Sequence, residues 1–101
     1  MKLLGKSERK RGGVEFLLHR AAELYPDRIA IDDRLNRTFT TYGELRSRAV
    51  QLARSLEQLG VGPGEPVAYV FQNESTPFEI VFACAMLGAV AMPLNNRLAP
   101  V

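Results

Sequence analysis

Residues 66–94 are almost wholly apolar, and the few polar and special residues among them cut the stretch into strand, helix and strand. The run at 67–71, VAYVF, is rich in β-branched and aromatic side chains, the composition of a strand buried on both faces. Gln72 and Asn73 end it. Thr76, Pro77 and Glu79 then open a helix: Thr76 and Glu79 have the spacing of a capping box, and Pro77 falls at the first helical position, where its missing N–H costs nothing. The helix carries Phe78, Ile80, Val81, Phe82, Ala83, Cys84, Ala85, Met86 and Leu87, apolar nearly all round, so it needs cover on more than one side. Gly88 supplies a C-terminal cap, and Ala89, Val90, Ala91 and Met92 form a second short strand stopped by Pro93. Two buried strands joined by a helical crossover are predicted to pair in parallel, with a right-handed connection, in an α/β fold.

Upstream, the pattern is amphipathic. Apolar residues at Val14, Leu17, Leu18, Ala21, Leu24 and Tyr25 mark one stripe of a helix that Pro26 closes. Short strands at 28–31 and 37–40 flank the polar turn Asp32-Asp33-Arg34-Leu35-Asn36, which predicts a β-hairpin. Thr41 and Glu44 give a second capping-box spacing. The helix they open carries Leu45, Ala49, Leu52, Ala53, Leu56 and Leu59 at three- and four-residue steps, with arginines and other polar residues elsewhere, so one face lies on a core.

The 101 residues, 47% of them hydrophobic, suffice for one small core or for a piece of a larger domain. Such a chain buries roughly 65% of its unfolded surface and has little stability to spare. The net charge of +2 is unevenly placed: Lys2, Lys6, Arg9, Lys10 and Arg11 stand against Glu8 in residues 1–13, and the remainder is slightly acidic. We read 1–13 as a basic, flexible leader. Contact of that leader with an acidic surface is the weakest of the functional readings. The body offers no basic face for nucleic acid. The apolar run at 80–94 is shorter than the roughly 20 residues of a membrane span and is interrupted by Gly88 and Pro93. A single cysteine, Cys84, excludes an internal disulfide and fits a reducing, cytoplasmic compartment.

Each feature suggestive of chemistry has a plainer structural role. His19 and Glu23 stand four apart on a helix, a metal-ligand spacing without a third ligand, and read as solvent-exposed. Asp32 and Asp33 are adjacent carboxylates, read as turn formers. The arginines of the second amphipathic helix are diluted by acids, with Glu44 and Arg48 an i, i+4 pair. Residues 60–65, GVGPGE, look like a phosphate loop, but a phosphate cradle follows a strand and opens a helix, whereas this loop follows a helix and opens a strand. We assign Gly60 to the helix cap, Val61 to packing back on the helix, and Pro63-Gly64 to the turn. The βα junction at 72–76 is where ligands collect in open α/β sheets, although Glu74 and Glu79 would repel an anion there.

Taken together, TFTTYGEL at 38–45, LGVGPGEPVA at 59–68, Asn73-Glu74, and LGAVAMPLN at 87–95 resemble the amino-terminal part of the AMP-forming acyl-CoA synthetases, within the adenylate-forming family. The resemblance covers about residues 14–98, and Pro93-Leu94-Asn95-Asn96-Arg97-Leu98 is closer to the acyl-CoA synthetase branch than to peptide-synthetase adenylation domains. It implies a parent enzyme that uses ATP and magnesium to convert a carboxylic or fatty acid to an acyl-adenylate, then passes the acyl group to coenzyme A. The family's phosphate loop, its aromatic-Gly-Thr-Glu motif, its ribose-binding aspartate and its mobile catalytic lysine have no counterpart in this sequence. The resemblance therefore assigns no catalytic, cofactor-binding or metal-binding residue here, and ATP, magnesium and coenzyme A belong to the full-length family.

The expected architecture is accordingly a partial amino-terminal subdomain: a short β-hairpin, amphipathic helices and a parallel βαβ unit at residues 14–101, inactive alone and partnered by the rest of the parent enzyme. A small non-catalytic α/β binding module is the alternative. The physical pattern favours the first, because so apolar a helix and an open parallel sheet edge call for cover from elsewhere, leaving the isolated chain at best marginally stable.

Overall fold

A computed structural model describes residues 13–70 and 76–94. The leader up to residue 12, Phe71, most of the βα junction, and the segment from 95 onward lie outside the described residues. Helix α1 (Val14–Leu24) is followed by β1 (Ile29–Asp33), β2 (Thr38–Thr41), α2 (Tyr42–Gln58), β3 (Pro66–Tyr69), α3 (Thr76–Leu87) and β4 (Val90–Pro93). The strands form two separate pairs, β1 with β2 antiparallel and β3 with β4 parallel across the α3 crossover. This is the expected hairpin, helices and parallel βαβ unit.

Local chemistry sets the element ends. At the start of α2 the Thr41 Oγ1 accepts from the Glu44 N–H at 3.1 Å while the Thr41 N–H donates to Glu44 Oε1 at 2.9 Å, a complete capping box. At the other end the Val61 N–H reaches the Leu56 carbonyl and the Gly60 N–H the Glu57 carbonyl, the paired bonds of a Schellman cap. Gly60 takes the left-handed φ of 96° that this requires. The same motif closes α3, with Ala89 bonded to Cys84, Gly88 bonded to Ala85, and Gly88 at φ 71°. A turn at 62–65 with Gly64 at φ 79° then donates from Gly64 to the Gly88 carbonyl at 2.8 Å, so the two helix ends and both parallel strands meet at one corner.

The core lies between the helices and the hairpin: Leu18, Ile31, Leu45, Ala49, Ala53, Ala83, Met86 and Leu87 form one buried cluster. Ala49, Ala53 and Ala83 expose no surface, and such small side chains let α2 and α3 approach closely, with Met86 filling the space beside them.

Four expectations need correcting. Asp32 and Asp33 belong to β1, which runs two residues further than predicted because Asp33 points inward and holds the turn through Asn36 instead of forming it. Helix α1 buries Glu15, Leu18 and Ala22, and leaves Val14, Leu17, Leu24 and Tyr25 of the apolar stripe exposed, because α2 and α3 reach only one edge of that stripe. Leu59 is exposed, since the Schellman cap hands its inward position to Val61. Finally, β3 and β4 are not buried on both faces: β3 alternates exposed and half-buried positions and β4 is exposed at every residue but Ala91, each having one neighbouring strand among the described residues.

Candidate functional site

The residues singled out from sequence are dispersed over the fold. His19 is half-buried rather than exposed, and Glu23 is exposed on α1. Among the described residues no three His, Cys, Asp or Glu side chains gather as a metal site. Asp33 is buried and accepts from the Asn36 backbone N–H at 3.2 Å and from Asn36 Nδ2 at 2.8 Å, whereas Asp32 lies outside, 3.9 Å from Arg34. The two carboxylates point to opposite faces of one strand, so they cannot share a proton across a cleft. Cys84 is buried, and burial pushes its thiol pKa up, away from the thiolate that nucleophilic chemistry needs.

The glycine loop at 60–65 spends its backbone on the Schellman cap and the turn into β3, as its position after a helix implied. The arginines of α2 do not converge on an anion. Arg48 Nη1 reaches Thr40 Oγ1 at 3.5 Å, and the shallow hollow of about 480 Å³ beside it is lined by Asp27 and Glu44 as well as Arg46 and Arg48. The Glu44 carboxyl is held below its usual range, first by the Thr41 backbone N–H, then by the Thr41 side chain, with Arg48 a smaller contributor. That charge closes the start of α2 and would repel a phosphate there.

The concave surface with no counterpart among the sequence expectations is apolar. A groove of about 330 Å³ runs between α1, the hairpin, α2 and α3, walled by Leu17, Leu18, Ala21, Ile31, Phe78 and Phe82. Among its described lining residues only Tyr42 carries a polar side-chain atom. Phe78 stands 50% exposed at the rim and Leu17 64%. The signal for it was present: α1 and α3 both carry more apolar positions than one amphipathic face can bury. Such a groove accepts an aliphatic or aromatic group, and the Tyr42 hydroxyl is the sole proton donor or acceptor among its described side chains. Among the described residues, no helix is long and apolar enough to cross a membrane.

The model of the family described as AMP-binding enzyme matches residues 18–100. A feruloyl-CoA synthase from an Amycolatopsis species is 43% identical over 79 residues, which span 78% of this chain and 16% of that enzyme. The solved Mycobacterium tuberculosis fatty acyl CoA synthetase superposes with a TM-score of 0.81 at 30% identity, over 90% of this chain and 18% of that one. The o-succinylbenzoate coenzyme A synthetase of Bacillus subtilis, solved with ATP and a magnesium ion, superposes with a TM-score of 0.70 at 31% identity, over 81% of this chain and 22% of its own. The chain thus spans about one sixth of the length of the curated relative it matches.

Proposed function

Because the chain belongs to the AMP-binding enzyme family, we propose that it is the amino-terminal part of an AMP-forming acid–CoA ligase and serves that enzyme as scaffold. In the parent reaction a carboxylate oxygen attacks the α-phosphorus of ATP and pyrophosphate leaves. The thiolate of coenzyme A then attacks the acyl carbonyl, forming the thioester and releasing AMP. The substrate is a carboxylic acid, with fatty and arylalkenoic acids both represented by name among the relatives.

The residues described here do not fit ATP and magnesium. No carboxylate cluster gathers for a metal, the glycine loop is occupied with capping, and the α2 amino terminus is closed by Glu44. No step of the reaction is assigned to them, and the chain alone is expected to be inactive. The observation that supports the reading most is the match over residues 18–100 with a fold that superposes on acyl-CoA synthetases. A chimera tests it: residues 14–94 replace their counterpart in the Mycobacterium tuberculosis fatty acyl CoA synthetase. Retention of ATP-dependent thioester formation supports the proposal. A folded but inactive chimera, or thioester formation by the 101-residue chain unaided, would refute it.

A further inference from the structure

Two helices share one open apolar face. On α1, Val14, Leu17, Ala21 and Leu24 recur at three- and four-residue steps and so lie along one side, with Val14 exposed by 48%, Leu17 by 64% and Leu24 by 54%. On α3, Phe78, Val81, Phe82 and Ala85 form a second such line without a charged member, with Phe78 exposed by 50% and Val81 by 39%. Leu17 and Ala21 line the same groove as Phe78 and Phe82, which makes the two lines the ridges of a single surface. With roughly 150–250 Å² to a whole aromatic side chain and less to an aliphatic one, those exposed fractions leave about 500 Å² of apolar area open. Lone apolar residues at a surface need no explanation, whereas a continuous patch of this size marks an interaction site.

We propose that this face joins two copies of the 101-residue chain about a two-fold axis, an inference that does not rest on the ligase reading. The area suits it: interfaces are roughly 60% apolar, so about 500 Å² of apolar surface corresponds to about 800 Å² per partner, the standard size of a stable complex. The shape is self-complementary. The face carries both ridge and groove, so a two-fold axis sets the α1 ridge of each copy in the groove of the other. The charges agree with that arrangement. Exposed Arg20 and Glu23 border the α1 line, and an antiparallel pairing of two α1 helices centred near Ala21 brings Leu17 against Leu24 and Arg20 beside Glu23 of the second copy. Ala21, a small side chain at the centre, lets the two helices approach closely.

Sedimentation equilibrium of the 101-residue chain tests the assignment. The average mass should rise from 11.2 kDa toward twice that value between about 1 and 100 μM protein. Leu17→Glu, at an open position, should keep the parent's circular-dichroism spectrum and stay at 11.2 kDa throughout. If its helical spectrum is lost, Leu24→Glu is read in its place. Arg20→Glu and Glu23→Arg each set like charges together at both symmetric contacts and should weaken the dimer about tenfold, while the double exchange should restore it to within about threefold of the parent. A parent chain that stays at 11.2 kDa to about 100 μM, as a face held for other polypeptide would, overturns the proposal. So does a dimer untouched by Leu17→Glu, or a mass that keeps growing past the dimer, which signals an open chain of contacts rather than two-fold closure. A double exchange no more dimeric than either single variant overturns the antiparallel pairing. None of these results bears on the ligase reading, which the chimera tests separately.

Discussion

Among the described residues Met86 is the largest side chain with no exposed surface, on α3 in one buried cluster with Ala49 and Ala53 of α2 and Ala83. Replacing it by alanine deletes three heavy atoms from that contact. At about 0.8 kcal/mol for each buried methylene-sized group, the transfer loss is about 2 kcal/mol. A residual cavity of roughly 50 Å³ at about 24 cal/mol per Å³ adds about 1 kcal/mol. The sum, about 3 kcal/mol, is more than half of the roughly 5 kcal/mol at the low end of domain stability, the end at which so small and incompletely covered a chain is expected. With a urea m-value of about 1–3 kcal/mol per molar, the midpoint of a circular-dichroism unfolding curve should fall by roughly 1–3 M. Met86→Leu, which keeps the volume, should cost less than about 1.5 kcal/mol. A Met86→Ala midpoint within experimental error of the parent would contradict the placement of the core between these helices.

Other substitutions probe the element ends and the thiol. Thr41→Ala should cost about 1 kcal/mol by opening the capping box of α2. Because the folded Glu44 pKa lies below its ordinary value near 4.5, the stabilisation it brings is complete above that value and lost as pH falls through the folded pKa. Carbon-13 NMR titration of Glu44 should show the depressed midpoint in the parent and its return toward the ordinary value in Thr41→Ala. Gly60→Ala and Gly88→Ala place alanine at φ 96° and 71° and should each cost about 1–2 kcal/mol, read as shifts in urea midpoint. Both sites have room for the added methyl, 3.5 Å from Pro63 Cβ at Gly88, so a larger loss would point to a steric clash absent from the fold. Cys84 should react with a disulfide reagent far more slowly than a free thiol at pH 8 and at the free-thiol rate in denaturant, because it is buried and its thiolate disfavoured.

The parts of this fold that were legible in the sequence are those fixed by residues close together along the chain. Thr41 and Glu44 announced the start of α2, Gly60 and Gly88 the ends of two helices, and the apolar runs on either side of α3 a parallel pair. What could not be read was burial that depends on distant neighbours. The stripe of α1 predicted its helical form, yet which edge of the stripe is covered depends on where α2 and α3 lie, and the structure covers Leu18 while leaving Leu17 open. The same holds for β3 and β4, whose composition reads as fully buried although one face of each is open. The aspartates misled for a related reason: a turn former does its work by where its side chain points, and Asp33 acts from inside the strand. The apolar groove went unseen because its walls come from four elements.

The proposed scaffold role requires that polypeptide beyond these residues complete the chemistry. The most direct measurement is ATP–pyrophosphate exchange with a fatty acid and magnesium, run side by side on the 101-residue chain, the chimera and the unmodified Mycobacterium tuberculosis synthetase. The predicted result is exchange by the chimera within about tenfold of the unmodified enzyme, a barrier change of no more than about 1.4 kcal/mol, and none by the chain. Exchange catalysed by the chain alone, or its loss in a chimera that folds, would contradict the claim.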